Sequence, residues 1–471
     1  MTDRIILFYR VGSKARRAGE PRLTLSSWIM RSGLCIILSA MLNTKHPDSV
    51  STPVGRSWLY YPISALILLL PALAVVVEHG ASGTYLLLWF TALLCLWGSL
   101  RHLQLDADER ILLWILLGYF SVVLISWLLS GQSDAGLFHV KRAARVLVVV
   151  PLYLLLRRLD PDLRWFAAGC MAGAVLAGVW AIDHFIAGYR NAWIPRANGA
   201  THPILFGNLS LSMAVIAVAM WRLHPTKWWR VFAVSAVLLG LTASLFSATR
   251  GGWIALPVLS LLLIWFLLRS TSVKVKLAVC ASLVASAVVL YLIPETGIQE
   301  RVLHAQQDLQ RYTEGDTVSN SLGERFNMWH ASLILMQQNP LFGAGVGQFI
   351  SEAQRLMQEG VVGDFDVRHY HAHSIYFTAL GQLGLIGLGL TLAMLIYPLV
   401  FFWRSLRSSD AVIGSAALSG VCLVVAYIHF GLTEAMFTRS LSIIFYVFCV
   451  VVLFSTIVNR RKHLQRIGDA S

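Results

Sequence analysis

Residues 375–402 read IYFTALGQLGLIGLGLTLAMLIYPLVFF, a stretch without a charge that is entered directly from the polar run Arg368-His369-Tyr370-His371-Ala372-His373-Ser374. About 20 apolar residues cross the hydrocarbon core of a bilayer as a helix, where the backbone has no water to bond. The stretch therefore predicts a membrane span that opens on a histidine cluster at the membrane surface. Comparable apolar stretches occur at roughly 58–79, 85–100, 111–129, 143–156, 166–186, 204–220, 231–248, 253–268 and 277–293 before it, and at 411–430 and 438–457 after it. The chain is thus expected to be an all-α polytopic membrane protein of about twelve transmembrane helices. Its composition agrees, with 57% hydrophobic and 13% charged residues and a mean hydropathy of +0.66. A net charge of +14 would point to nucleic acid in a soluble chain. In a membrane protein it points to loops facing anionic headgroups, so membrane lipids and no nucleic acid are expected as partners.

Five short connections, 101–110, 157–165, 221–230, 269–276 and 404–410, are basic, as is the tail Arg460-Arg461-Lys462. The positive-inside rule puts these in the cytoplasm together with both termini, and residues 294–374 outside. The expected organisation is a basic cytoplasmic or interfacial extension (1–56), spans one to nine (57–293), a periplasmic loop domain (294–374), spans ten to twelve (375–457) and a cytoplasmic tail (458–471). Within the extension the apolar run Leu34 to Leu42 is too short to span; a cleaved leader and a start at Met41 are the alternative readings. In the loop domain, Gly323 to Gln338 predicts an amphipathic helix carrying Phe326, Trp329, Leu333 and Met336, stopped by Asn339-Pro340, and Ser351 to Gly360 predicts a second. The run Gly343-Ala344-Gly345-Val346-Gly347 lacks the Lys-Ser/Thr ending of a nucleotide loop, so no nucleotide is expected and a close backbone approach is. Cys35, Cys95, Cys170, Cys280, Cys422 and Cys449 all lie in apolar stretches, as small core residues do, with neither a disulfide frame nor metal spacing.

The outer side carries charges that the topology rule disfavours. Lys141, Arg142 and Arg145 precede or open the fourth span, Arg190 and Arg196 lie before the sixth, Arg250 sits in the turn Thr249-Arg250-Gly251-Gly252, and Arg439 opens the last span. Guanidinium forks match phosphate oxygens, so this set suggests a phosphate or diphosphate ligand. The alternative is that the arginines reach lipid phosphates or pair with Asp134, Asp183 or Glu434. His371 and His373 stand two apart, unlike a helical metal pair at i,i+4, and no metal is expected. A histidine near neutrality can accept a hydroxyl proton beside such an anion clamp.

At the level of motifs the chain resembles the O-antigen ligase and polymerase family. The resemblance rests on His373-Ser374-Ile375-Tyr376-Phe377 followed by Leu380-Gly381-Gln382-Leu383-Gly384-Leu385-Ile386-Gly387, on Ser247-Ala248-Thr249-Arg250-Gly251-Gly252-Trp253, on Glu324-Arg325 to Trp329, and on Pro340-Leu341-Phe342-Gly343-Ala344-Gly345-Val346-Gly347. Ser374 and Gln382 depart from the family's frequent asparagine and acid. The resemblance implies a GT-C-like glycosyltransferase, and one dominant outer loop with a brief tail favours the lipopolysaccharide ligase. Such an enzyme moves O-antigen polysaccharide from undecaprenyl diphosphate to a hydroxyl of the lipid A core, at the periplasmic face of a Gram-negative inner membrane. The implied chemistry is inverting, metal-independent and free of cofactors. His373 is then the base; Arg250 and Arg196, then Arg142, Arg145 and Arg439, take the diphosphate; Arg325, Arg368, His371 and Tyr376 contact the acceptor or its phosphates. The alternatives are an O-antigen polymerase, a protein O-oligosaccharyltransferase of the same family, and a transporter or flippase of an anionic substrate.

Overall fold

A computed structural model describes residues 59–96, 104–190, 196–223, 226–293, 321–366 and 371–468, with a few positions between 299 and 310. The expected N-terminal extension lies outside the described residues, all of which belong to one compact unit spanning 52–471. Among them there are fourteen α-helices and no strand. In chain order these are α1 (Tyr60–Leu73), α2 (Gly80–Leu96), α3 (Ala107–Leu129), α4 (Asp134–Leu159), α5 (Leu163–Arg190), α6 (Pro203–Ala219) and α7 (Lys227–Phe246). They continue with α8 (Arg250–Leu267), α9 (Val273–Leu292), α10 (Ser321–Gln338), α11 (Phe349–Gln358), α12 (Ile375–Ser405), α13 (Ala411–Thr433) and α14 (Ser440–Gly468). Six of them, α3, α5, α7, α12, α13 and α14, are long and apolar enough to cross a membrane, and α1, α2, α6 and α8 are shorter apolar helices.

Helices fall on all twelve expected stretches, but three boundaries differ for local reasons. α1 stops at Leu73, two residues after Pro71, whose ring cannot continue the hydrogen-bond ladder. α4 begins at Asp134 because the Ser133 hydroxyl accepts the Gly136 N–H. Arg142 and Arg145 therefore sit inside a helix and do not precede it. α12 runs on to Ser405 but is broken at Gly384, whose φ of 64° and ψ of −159° are not helical.

α14 and α13 form the buried centre, with Phe401 of α12 stacked on Phe454 at 3.6 Å and Tyr427 tilted against Tyr446 at 4.7 Å. In lipid, helices gain little from burying apolar surface and associate where small residues allow close packing. Gly169 and Gly173 of α5 illustrate this, since a Cβ on either would stand 2.3 Å from the Leu68 carbonyl oxygen or 2.4 Å from that of Pro71 on α1. α9 shows the opposite, exposing Leu277, Val284 and Leu292 by more than three-fifths each, as expected of a lipid-facing helix.

The break in α12 is filled by another part of the chain. The Leu385 N–H donates to the Pro340 carbonyl at 2.8 Å, Ile386 N–H to Leu341 at 3.3 Å, and Ala344 N–H to the Gly381 carbonyl at 2.8 Å. Groups that an intact helix would satisfy are thus satisfied by the segment 340–344, as buried backbone requires. Gly343, Gly345 and Gly347 have φ of 63°, 97° and 87°. A Cβ there would meet Gly381 O at 2.6 Å, Ser130 Cβ at 2.3 Å and Gly136 N at 2.3 Å, so the glycine run is the surface by which the insert docks on the bundle.

Beyond this dock the insert has its own small core. Met328, Ala331 and Leu335 of α10 pack on Phe349, Ala353 and Leu356 of α11, closed by Phe365 and Ala372. The expected apolar stripe of α10 is displaced: Leu333 is 38% exposed and Phe326 and Trp329 are only partly buried. The reason is that α10 is covered on two sides, by α11 and by α12, so its most buried line runs between the faces a single-sided helix would show.

Gly384→Ala should lower the thermal midpoint of the detergent-purified protein. Its Cβ would stand 2.5 Å from the Leu341 backbone in a left-handed conformation, a cost of about 1–3 kcal/mol for the backbone alone. A midpoint equal to wild type would mean that the break is not required.

Candidate functional site

α13 ends at Thr433, and the chain turns through Glu434, a short 3-10 turn (Met436–Thr438) and Arg439 into α14. Against this turn lies the segment that leads into α12. Trp329 Nε1–H donates to the Ala372 carbonyl at 2.9 Å, and Ala372 N–H donates to Thr378 Oγ1 at 3.1 Å. The Ser374 hydroxyl donates to the Gly431 carbonyl at 3.0 Å and the Tyr376 hydroxyl to that of Ile428 at 2.9 Å. Trp329 also stacks on Phe377 with ring centres 4.9 Å apart. So pinned, His371 and His373 project together, their rings 4.7 Å apart.

Both face the carboxylate of Glu434, which is almost wholly buried. His373 Nδ1 is 3.4 Å from Oε2, His371 Nε2 is 3.8 Å from Oε1, and Arg439 Nε is 3.7 Å from Oε1. His371 Nδ1 accepts the His373 backbone N–H at 3.3 Å, which leaves its proton on Nε2, toward the carboxylate. We assign the His373 proton to Nδ1 by the same reasoning, which puts its basic lone pair on Nε2. Burial by itself would raise the Glu434 carboxyl. The hydrogen bond from His373, the charges that His371 and His373 carry when protonated, and the charge of Arg439 outweigh it and bring the group down to about 2.

Other expected site residues are distributed around this centre. Arg196 donates from Nε to the Ser247 carbonyl at 2.8 Å and from Nη2 to that of Ala248 at 3.5 Å, holding the turn from which α8 starts. Arg250 opens α8, but its side chain, like the whole of Arg368, lies outside the described residues. The side chain of Arg190 does so too. Arg142 lies over the Phe138 ring at 3.6 Å, its Nε buried without a hydrogen-bond partner, and it feels the charge of Arg439. Arg145 donates to the Lys141 carbonyl of its own helix at 3.1 Å. Arg325 lies half-buried in the second turn of α10. Tyr376 uses its hydroxyl to tie α12 to α13.

Three residues at the centre were not singled out by sequence reasoning. Glu434 entered only as an acid that could pair with an arginine, and Trp329 only as a helix-face residue. His202 caps α6, Nδ1 accepting the Ile204 N–H at 3.3 Å. Burial lowers its pKa first, and then the charges of Arg439 and Arg196, with Glu434 opposing, which sets it beside the same cluster. The signal for Glu434 was available: it is the only acid between the last two apolar spans, five residues ahead of an arginine.

His371, His373 and Glu434 could also hold a cation, since one donor atom from each lies within 4.8 Å of the others. Spacing in the sequence could not supply the third donor, which comes from another helix end. Arg439, however, already stands at Oε1, so a divalent ion there would meet a like charge.

Known sequences are similar to part of this chain. Residues 235–392 match the family described as O-Antigen ligase. The chain carries an O-antigen ligase/polymerase family domain. The matched segment runs from α7 into α12 and includes Arg250, the insert, His371 and His373, while Arg142, Arg196, Glu434 and Arg439 lie outside it. An uncharacterized protein of Haemophilus influenzae is 22% identical over 398 residues, covering 83% of this chain and 98% of that protein. The six helices long and apolar enough to cross a membrane, together with the match over 235–392, support a multi-pass membrane protein similar in that segment to the O-antigen ligase family.

Because folding depresses the Glu434 carboxyl below its ordinary 4.5, the ionised form favours the folded state. Its contribution is full above about pH 4.5 and is lost as the pH falls toward 2. Thermal midpoints taken from pH 6 to 3 should therefore fall more steeply for wild type than for Glu434→Gln, which should start lower at pH 6. Parallel curves would contradict the buried ionised carboxylate.

Proposed function

We propose that the protein transfers O-antigen polysaccharide from undecaprenyl diphosphate to a hydroxyl of the lipid A core, at the periplasmic face of a Gram-negative inner membrane, and so completes lipopolysaccharide. The observation that carries this reading is His373 seated on Glu434 with Arg439 at the same carboxylate, inside a chain that carries the family domain. His373 Nε2 takes the proton as the acceptor oxygen forms its bond to the anomeric carbon. The carbon–oxygen bond to the diphosphate breaks, and its electron pair stays on the leaving oxygen. Attack opposite the leaving group inverts the anomeric centre. The negative Glu434 stabilises the imidazolium that forms and keeps the ring in one orientation, as a carboxylate behind a catalytic histidine does. The proton then leaves His373 to solvent.

The diphosphate charge falls to Arg439, Arg142 and Arg196, with Arg250 at the start of α8. Arg145, turned along its own helix, stands behind this set and lends charge. Arg325, on the insert, and Arg368, ahead of the histidines in the chain, are assigned to the phosphates of the acceptor. His371 holds Glu434 and so supports His373. Tyr376, bonded to Ile428, is reassigned from substrate contact to support. The guanidinium at Glu434 supplies the positive charge a metal would bring, so the reaction is proposed to run without one. No nucleotide takes part, because the donor already carries its leaving group. The basic connections support an orientation with both termini in the cytoplasm and the site outside.

His373→Ala should lower the transfer rate at least about 1,000-fold in the purified protein, with donor binding retained. Full activity in that variant would remove His373 from the chemistry. Reconstitution with lipid-linked glycan and rough lipopolysaccharide should shift the latter to larger size, also in EDTA. Extension of the lipid-linked glycan alone would make the protein a polymerase, and loss in EDTA restored by one cation would overturn the metal-free mechanism. Arg439→Lys keeps the charge but loses the fork, and should raise the donor KM about tenfold.

A further inference from the structure

Behind the catalytic cluster lies a cavity of about 40 Å³ between α3, α4 and α12, reached where Ile375, Ala435 and Thr438 follow the histidines and Glu434 in the chain. No acidic side chain lines it. His139, one turn before Arg142 on α4, is nine-tenths buried, lines this cavity, and leaves its Nε2 without a hydrogen-bond partner. Arg142 Nε, on the same wall, is buried and unpartnered as well. A buried polar atom left unpaired costs free energy comparable to a lost hydrogen bond, so two on one wall mark a place where something binds. The remaining wall is mixed: Thr378, Gln382 and Thr438 are polar, while Tyr119, Ala379 and Phe437 are apolar.

Size and lining limit the occupant. The cavity exceeds what a single water needs, roughly 10–15 Å³, and its lining offers polar donors beside apolar surface, which suits a small substituent with one hydrogen-bonding end and one apolar end. A phosphoryl group would bring its charge against Tyr119, Ala379 and Phe437, and a lone hydroxyl would leave most of the space unfilled. We infer that this cavity is a specificity subsite for an acetamido substituent beside the reacting carbon of the transferred sugar, its carbonyl accepting from Arg142 and His139 and its methyl lying against Tyr119 and Phe437. The inference rests on the glycosyl-transfer reading, because that reading puts the reacting sugar at His373, next to the rim.

The test compares lipid-linked diphosphate donors whose reacting sugar is N-acetylglucosamine or glucose. Wild type should prefer the acetamido donor by about 30-fold in kcat/KM, the range a small pocket group provides. Ala379→Leu and Ala143→Leu enter the cavity from opposite walls; each should remove that preference and leave the glucose donor within twofold. Equal use of both donors by wild type, or equal losses on both in the variants, would overturn the subsite and leave a packing void. A second measurement needs no turnover and no variant: saturation-transfer NMR with N-acetylglucosamine 1-phosphate should saturate the acetamido methyl most strongly. An unsaturated methyl would also overturn the subsite. Methyl saturation without transfer from either donor would instead reject the transferase reading and retain the subsite.

Discussion

A carboxylate with 1% of its side chain exposed has lost nearly all its hydration, and desolvation of that kind ordinarily forces such a group to take up a proton. Glu434 remains ionised only because two imidazoles and a guanidinium are brought to it. That requirement couples parts of the chain that are far apart. Arg439 arrives five residues later because the 3-10 turn between α13 and α14 folds back. The histidines arrive because Ser374 and Tyr376 bind the last turns of α13. Two histidines and an arginine are therefore held to one point by one buried charge, and none can shift without leaving it less compensated.

The second constraint is the backbone. Irregular chain inside a membrane bundle is tolerated where protein satisfies its polar groups. The break at Gly384 meets this condition through Pro340, Leu341 and Ala344, and the Ser126 hydroxyl extends it by accepting the Val346 N–H and donating to the Gln382 carbonyl. The insert is thus joined to α12 by main-chain bonds and to α3 through the Ser126 hydroxyl. Trp329, carried by the insert, reaches Ala372 between the two histidines. Docking and the placement of the two histidines depend on each other: the segment that closes the helix break follows directly on the helix that carries Trp329.

How much of this the sequence disclosed follows from the range of the forces involved. Apolar runs are local, so every expected stretch holds a helix, and the glycines at 343–347 could be recognised as a close approach from their spacing alone. Helix ends set by a single cap or proline were less visible: Ser133 moves the start of α4 back by nine residues and takes Arg142 into its interior. The buried line of α10 was misplaced because a second covering surface, α12, is remote in sequence. His371 and His373 were legible as a cluster beside a span. Glu434 was not legible as their partner, since only the fold brings residue 434 to residue 373. The cavity wall of His139 and Arg142 belongs to the same class, a neighbourhood made by helices that are not consecutive.

His373 itself sits at a φ of 46°, a left-handed conformation that a residue with a Cβ adopts at a cost of about 1–3 kcal/mol. Nothing in its own sequence demands this, since Ser374 could begin the helix from an extended residue. The surroundings enforce it: the residues on either side are fixed, Ala372 through its carbonyl and N–H by Trp329 and Thr378, and Ser374 through its hydroxyl by Gly431, while the His373 N–H is bonded to His371. With those bonds made, an ordinary φ would swing the imidazole away from Glu434. The strain is therefore the cost of directing Nδ1 at the carboxylate and Nε2 away from it, the one orientation in which the ring can receive a proton and have the resulting charge balanced. Strain held by so many bonds at a single histidine supports, independently of any sequence resemblance, the proposal that this side chain is the reacting one.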